Sequence, residues 1–197
     1  MSVPLPIVDG LTIGAPHRSL LMPGAVVRDP RGRARRLPRF FYVVDSWQTA
    51  LATRLAPQFA LWEFMDVDLY EPLPLRTFPR YVPCAVSVLA AHLQVLRTEV
   101  GQPVKIAANG GYRSPSHGRS RPESTHSWGT AVNIYRIGDE YVDDRETIER
   151  YGALAVSLLP AFRARPYGSE RGGSDDHLHL DLGYVVSVPA EAPAEEG

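Results

Sequence analysis

The stretches STHSWGTAVNIY (residues 124–135) and DDHLHLDLG (residues 175–183) hold the side chains best suited to chemistry in this chain. On an extended strand, side chains two apart share a face, so His177, His179 and Asp181 point one way and Leu178, Leu180 and Leu182 the other. An apolar face opposite a His/His/Asp face is the pattern of a strand lining a polar cleft. Upstream, Gly129 permits a tight turn, and the AVNI run after it can continue as a short strand that brings His126 and Asn133 near one point. Neutral imidazole is a good ligand for borderline metals, and catalytic zinc commonly takes three protein ligands and a water. The pattern predicts a metal site, with Asn133 where a charged ligand is expected. The plainer alternative is two histidines on a surface strand and a third in a serine-rich loop.

Three ordered motifs carry a family resemblance: GYRSPSH at 111–117, S-x-H-x-x-G-x-A-x-N at 124–133 and D-H-x-H at 176–179. Together they resemble the zinc D-Ala-D-Ala carboxypeptidase family, which shares its fold with hedgehog signalling domains and several peptidoglycan endopeptidases. The likeness covers roughly residues 59–186. It implies a hedgehog/DD-peptidase-like fold, with a small antiparallel sheet flanked by helices. It also implies a Zn2+ cofactor held by His126, Asn133 and His179, with Asn133 at the family's aspartate position. Asp176 matches the acidic general base, and His177 matches a histidine that helps stabilise the tetrahedral intermediate. Arg113 matches the arginine that holds the substrate's backbone or terminal carboxylate, a task suited to a planar bidentate donor. Ser124 matches a serine that orients substrate and ligands. The implied reaction is amide hydrolysis in a peptidoglycan stem peptide containing D-alanine.

Asparagine has nearly the shape of aspartate, so the fold should tolerate it, but its amide oxygen is a neutral and weaker donor to zinc. Three readings are open: a module that keeps the fold for binding or structure, a site completed by an oxygen from Asp181, or an engineered inactive variant. On the same predicted strand face, Asp181 is an alternative ligand or a group that orients His179. The silent-module reading corresponds to a wall-peptide binder or a component of a phage tail or injection apparatus.

Several elements must position these residues. VPCAVSVLAAHLQVLRTEVG is the best helix, mostly buried, with Val86, Val88, Leu89, His92, Leu93, Val95 and Leu96 as its apolar positions and Gly101 as its stop. His92 lies among these apolar positions as a structural residue, and Cys84 is a small buried residue. PVKIAANGGYR reads as a strand running into a glycine turn, and DRETIERYGALAVSLLPAF as a helix capped by Asp143 or Asp144 and ended near Pro160. HLHLDLGYVVSV alternates as a strand, and Trp47, Leu51, Leu55 and Phe59 recur at near-helical spacing as a core stripe. His117 is assigned to stabilising its loop. Trp128 is read as packing beside the site, with stacking on a sugar as the alternative. Helices alternating with separated strands indicate an α+β class.

The expected organisation is an extended Pro/Arg-rich arm over residues 1–40, a DD-peptidase-like domain over 41–188 and a disordered acidic tail over 189–197. Six arginines lie between positions 28 and 39. They would anchor an acidic partner such as an anionic wall polymer, nucleic acid being the weaker option, or form a solvated arm. The chain has 197 residues, 44% hydrophobic and 22% charged, with a formal net charge of -1. That balance gives no overall pull toward nucleic acid or anionic membranes. No run approaches the roughly 20 apolar residues of a membrane span. The start lacks the pattern of a secretory signal, so a cytoplasmic product is expected, reaching the wall by lysis or an injection apparatus. A lone Cys84 excludes an internal disulfide framework.

Overall fold

The computed structural model describes residues 5–169 and 176–189. Its order begins with β1 (Ile7–Asp9), α1 (Ala15–Leu21), the hairpin of β2 (Val26–Arg28) and β3 (Ala34–Arg36), and β4 (Phe40–Val43). Next come α2 (Trp47–Ala52), β5 (Arg54–Ala56), β6 (Phe59–Ala60), α3 (Trp62–Met65), β7 (Tyr81–Pro83), α4 (Val86–Val100) and β8 (Val104–Ile106). A 3₁₀ turn at Thr125–Trp128 leads to β9 (Ala131–Ile137), β10 (Glu140–Tyr141), α5 (Arg145–Leu158), β11 (Arg163–Ala164) and β12 (Leu178–Asp181). Helices and separate antiparallel sheets make this an α+β protein. No helix among the described residues is long and apolar enough to cross a membrane.

The sheet that matters for the site runs β10-β9-β12-β11, with β8 also paired to β9. Its register sets His179 opposite Asn133 and Asp181 opposite Ala131, while Leu178 and Leu180 face Ile134 and Val132. These four aliphatic side chains are fully buried, so the apolar face packs into the core and the polar face is left for chemistry. α5 closes over that apolar face because Gly152 has no side chain: a Cβ there would lie 3.1 Å from the Ala164 methyl and 3.5 Å from Leu178 Cδ1. Asp144 caps α5, accepting the Thr147 N–H at 2.8 Å. α4 buries Val86, Leu89, Leu93 and Leu96 as its pattern predicts and stops at Gly101 with φ +63°, but Val95, expected inward, is exposed.

Three expectations are corrected. The first forty residues are not an extended arm: β1 pairs with β4, β4 pairs with β7, and Ile13, Leu21 and Leu37 are buried. Polar charge density hid this, yet the arginines are tied down locally. Asp29 accepts from Arg33 and Arg35 at 3.0 and 3.1 Å, and Arg36 Nη1 donates to the Gly24 carbonyl at 3.0 Å. The stripe from Trp47 to Phe59 is not one helix face: α2 ends at Ala52 and β5–β6 follows, with Pro57 in their turn. Proline's missing N–H and fixed φ disfavour a continuing helix there, and Leu51 is exposed while Phe59 is buried. Finally, β12 ends at Asp181 rather than running on through Val188, because Gly183 turns back with φ +72° and donates its N–H to Asp181 Oδ1 at 2.8 Å. Nearly all of the acidic tail lies outside the described residues.

The glycine turn is where the core meets the site. A Cβ on Gly111 would overlap the Phe64 backbone, including its Cα at 2.7 Å, and the neighbouring Tyr112 N–H donates to the Phe64 carbonyl at 2.7 Å. Backbone atoms cannot move aside as a flexible side chain can. Gly111→Ala is therefore expected to lower stability by about 1–3 kcal/mol, the usual cost of overpacking. Urea denaturation checks it, and a loss within experimental error would show that the turn is not packed as described.

Candidate metal and substrate cleft

An open cleft of about 520 Å³ lies over the polar face of β9 and β12. The 3₁₀ turn ends at Gly129, whose φ of +68° suits glycine, and it places His126 in the cleft wall. His126 Nδ1–H donates to the Gly111 carbonyl at 2.7 Å. A carbonyl only accepts, so the proton is on Nδ1 and Nε2 keeps its lone pair. Backbone bonds from Ala107 N–H to Asn133 O (2.9 Å) and from Asn133 N–H to Gly110 O (2.8 Å) lock the glycine turn against β9.

Across the β9–β12 pair, His179 Nδ1 lies 2.9 Å from Asn133 Oδ1. On the other side of the ring, Nε2 lies 3.4 Å from Asp181 Oδ2. The His126 and His179 rings stand edge to face with centroids 5.1 Å apart. Both are buried, at 2% and 4% exposure. Burial, then the nearby Arg113, holds His126 well below the ordinary histidine range. Burial also lowers His179, although Asp181 pulls the other way. Both rings are thus neutral at pH 7, the form that ligates metal.

A neutral imidazole carries one N–H, yet His179 has an acceptor oxygen on each side. The proton belongs on Nε2, facing the carboxylate, where the bond is charge-assisted. The Nδ1 lone pair then meets the Asn133 amide. Either that amide presents its NH2 group as donor, or two lone pairs converge on a cation. The donors that would face a cation here are two neutral imidazole nitrogens and an amide oxygen, a set that carries no negative charge. Accordingly, among the described residues no cluster of three or more His, Cys, Asp or Glu is arranged to hold a metal. Asp181 does not supply the missing carboxylate from Asn133's side, because it sits at Nε2, where it orients the ring.

The other expected residues are distributed around this pair. Arg113, Ser124 and His177 line the cleft. His177 sits at a bend directly before β12 and lines the cleft with His179 and Asp181, as expected, and its Nδ1 lies 2.6 Å from Asp176 Oδ1. Asp176 is not among the lining residues, and its side chain is 72% exposed. Trp128 is fully buried, packs edge-on against Tyr184 and donates its indole N–H to the Arg36 carbonyl at 3.1 Å, which removes the sugar-stacking alternative.

Sequence reading missed the groups that hold Arg113. Its Nε–H donates to the Asn109 carbonyl at 2.7 Å, and Asn109 adopts φ +56°. The Asn109 amide donates to Asp68 at 2.6 Å, and buried His117 Nε2 lies 3.1 Å from the same carboxylate. His117 Nδ1 accepts the Arg119 N–H at 3.2 Å, which fixes the proton on Nε2. Next door, Glu71 accepts both the N–H and the hydroxyl of Ser114, at 2.7 and 2.6 Å. Asp68 and Glu71 stand more than forty residues from their partners, and no local pattern marks them. Arg163 and Arg165 also line the cleft. Their R-A-R alternation beside an apolar helix was the one available signal.

Comparison with protein-family models, with curated proteins and with solved structures finds no match.

Asp68→Ala would leave the His117 N–H and the Asn109 amide without their acceptor. Each buried orphan costs about 1–3 kcal/mol, so a loss of about 2 kcal/mol or more is expected in urea denaturation. A loss under about 0.5 kcal/mol, the range of ordinary surface changes, would mean the hub does not brace the arginine turn.

Proposed function

We propose that this protein is a zinc-dependent peptidase of the D-Ala-D-Ala type, acting on D-alanine-containing peptidoglycan stem peptides in a hedgehog/DD-peptidase-like fold. The observation that carries the reading is convergence: Arg113, Ser124, His126, Asn133, His177 and His179, drawn from separate segments, meet around one polar cleft. His126, Asn133 and His179 would hold the metal. When bound, zinc supplies polarisation of the scissile carbonyl and a water whose pKa falls to about 7.

The chain's own groups divide the remaining tasks. Arg113, held through the Asn109 carbonyl, lines the cleft as the group that would bind a peptide carboxylate or carbonyl. Ser124 stands beside it to orient the substrate. The proton-handling role falls to the Asp176–His177 pair. Asp176 accepts from His177 Nδ1, so His177 Nε2 has the lone pair that takes a proton and later returns it to the leaving amine. This shifts the base from Asp176, as the resemblance implied, to the histidine that it orients.

One observation favours a second reading. If the Asn133 amide donates to His179 Nδ1, the site is satisfied without a cation, and the protein is a silent module that binds wall peptide or serves a phage tail or injection apparatus. The two readings separate in a muropeptide assay with zinc-loaded protein. The peptidase reading expects turnover by the natural chain, and at least a tenfold rise in kcat/KM for Asn133→Asp, since weakened metal ligation typically costs about 10- to 100-fold. Cleavage by the aspartate variant alone would establish the silent module instead.

A further inference from the structure

The cleft chemistry makes no use of the β2–β3 hairpin, yet that hairpin concentrates charge. Residues 26–36 hold five arginines (Arg28, Arg31, Arg33, Arg35 and Arg36) and one carboxylate, Asp29, in a chain whose formal net charge is -1. Asp29 is occupied in shaping the tip. Its carboxylate accepts the Arg31 and Arg33 backbone N–H groups, both at 2.9 Å, and the Nε–H groups of Arg33 and Arg35 at 3.0 and 3.1 Å.

The register sorts the hairpin into two faces. Val27 and Arg35 form a half-buried pair, and Arg35 lies over the Tyr184 ring. The pairs Val26–Arg36 and Arg28–Ala34 make the other face, and all four residues are exposed, Val26 at 57%. Arg28 and Arg36 stand diagonally across that outer face, about 7–8 Å apart at the backbone. Each is tied to a neutral acceptor: Arg28 Nη1 donates to the Gly32 carbonyl at 2.9 Å, and Arg36 Nη1 to the Gly24 carbonyl at 3.0 Å. Neither pairs with a carboxylate among the described residues, and the Arg31 side chain at the tip bonds to none of them. By contrast, Arg39, Arg80, Arg145 and Arg150 are paired with Asp9, Asp45, Glu149 and Glu140. A carbonyl steadies a guanidinium without cancelling its charge, so the outer face presents pre-positioned, uncompensated forks.

We infer that this outer face binds a polyol-phosphate polymer, a chain of phosphodiesters that carries no bases. Guanidinium forks hold phosphate oxygens bidentately, and the Arg28–Arg36 separation is close to the reach of one short polyol between two phosphates. The apolar Val26 and Ala34 beside them suit the polyol carbons. Proteins that bind single-stranded nucleic acid add rings on which bases stack, and residues 26–36 contain no aromatic side chain. Pro30 at the tip and Tyr184 beneath Arg35 both line the cleft, so a polymer on the hairpin runs along the cleft's rim. The inference stands apart from the chemistry inside the cleft.

The test is equilibrium binding of the natural full chain to a fluorescent glycerol-phosphate oligomer, read by anisotropy over a salt series. Binding is expected, and it weakens as salt rises. Arg28→Gln/Arg36→Gln weakens it by about tenfold and lowers the slope of log Kd against log salt by about two, one for each guanidinium lost. Arg31→Gln, which breaks no side-chain bond among the described residues, lowers the slope by about one. Arg145→Gln/Arg150→Gln removes the same charge from α5 and leaves the affinity unchanged. No binding by the natural chain, or equal losses in the two double variants, overturns the inference. Equal or tighter binding of an oligothymidylate or a polyglutamate of matched charge also overturns it, making the hairpin a nucleic-acid or general polyanion site.

Discussion

His179 has a single proton to share between two oxygens, and much of the structure is arranged around that constraint. The β9–β12 register fixes Asn133 at its Nδ1 and the turn at Gly183 fixes Asp181 at its Nε2. Because the ring is buried and neutral, it cannot satisfy both acceptors. The carboxylate holds the proton more strongly, so the Nδ1 lone pair is directed at the asparagine. The character of the site then turns on that amide. With its oxygen inward, the pair would offer two lone pairs to a cation, with His126 as the third donor proposed above. With its nitrogen inward, the pair is a closed hydrogen bond. On the proposed reading, a half-turn of one amide, costing little sterically, would separate a metal centre from a quiet pocket.

The scaffold keeps both histidines from escaping the choice. Leu178 and Leu180 anchor β12 from below, and Gly152 lets α5 press against Leu178, which fixes the backbone that carries His179. Gly111, packed on the Phe64 backbone, delivers the carbonyl that sets the His126 tautomer. The Asp68–Asn109–His117 hub carries the same rigidity outward to Arg113. Even the amino-terminal hairpin takes part: the Arg36 carbonyl receives the Trp128 N–H, and Arg35 lies 4.6 Å over Tyr184 at the cleft edge. A segment that composition presented as an arm is a buttress.

How much of this was legible depended on range. α4 and α5 announced themselves through periodicity, a glycine stop and an aspartate cap, all of them local signals. The two site stretches were readable because strand alternation put His179 and Asp181 opposite Leu178 and Leu180 within a few residues. His177 joins His179 and Asp181 at the cleft as the alternation implied, although the strand itself begins one residue later. The residues that brace the site, Asp68, Glu71 and Asn109, gave no sign, because their meaning lies in partners remote in sequence. Arginine density misled in the other direction. Asp29, a single carboxylate among six arginines, folds that stretch back on itself, and charge counting does not see geometry.

If the protein is a metallopeptidase, the His179 Nδ1 lone pair and the Asn133 oxygen must converge on a cation. Long-range proton–nitrogen NMR of the His179 ring, before and after an equimolar addition of zinc, reads that convergence at the atoms concerned. A cation site keeps the proton on Nε2 in both states and gives a large shift of Nδ1 alone when zinc is added. A His179 spectrum unchanged by zinc, with Nδ1 already accepting a hydrogen bond from the Asn133 amide, would contradict it.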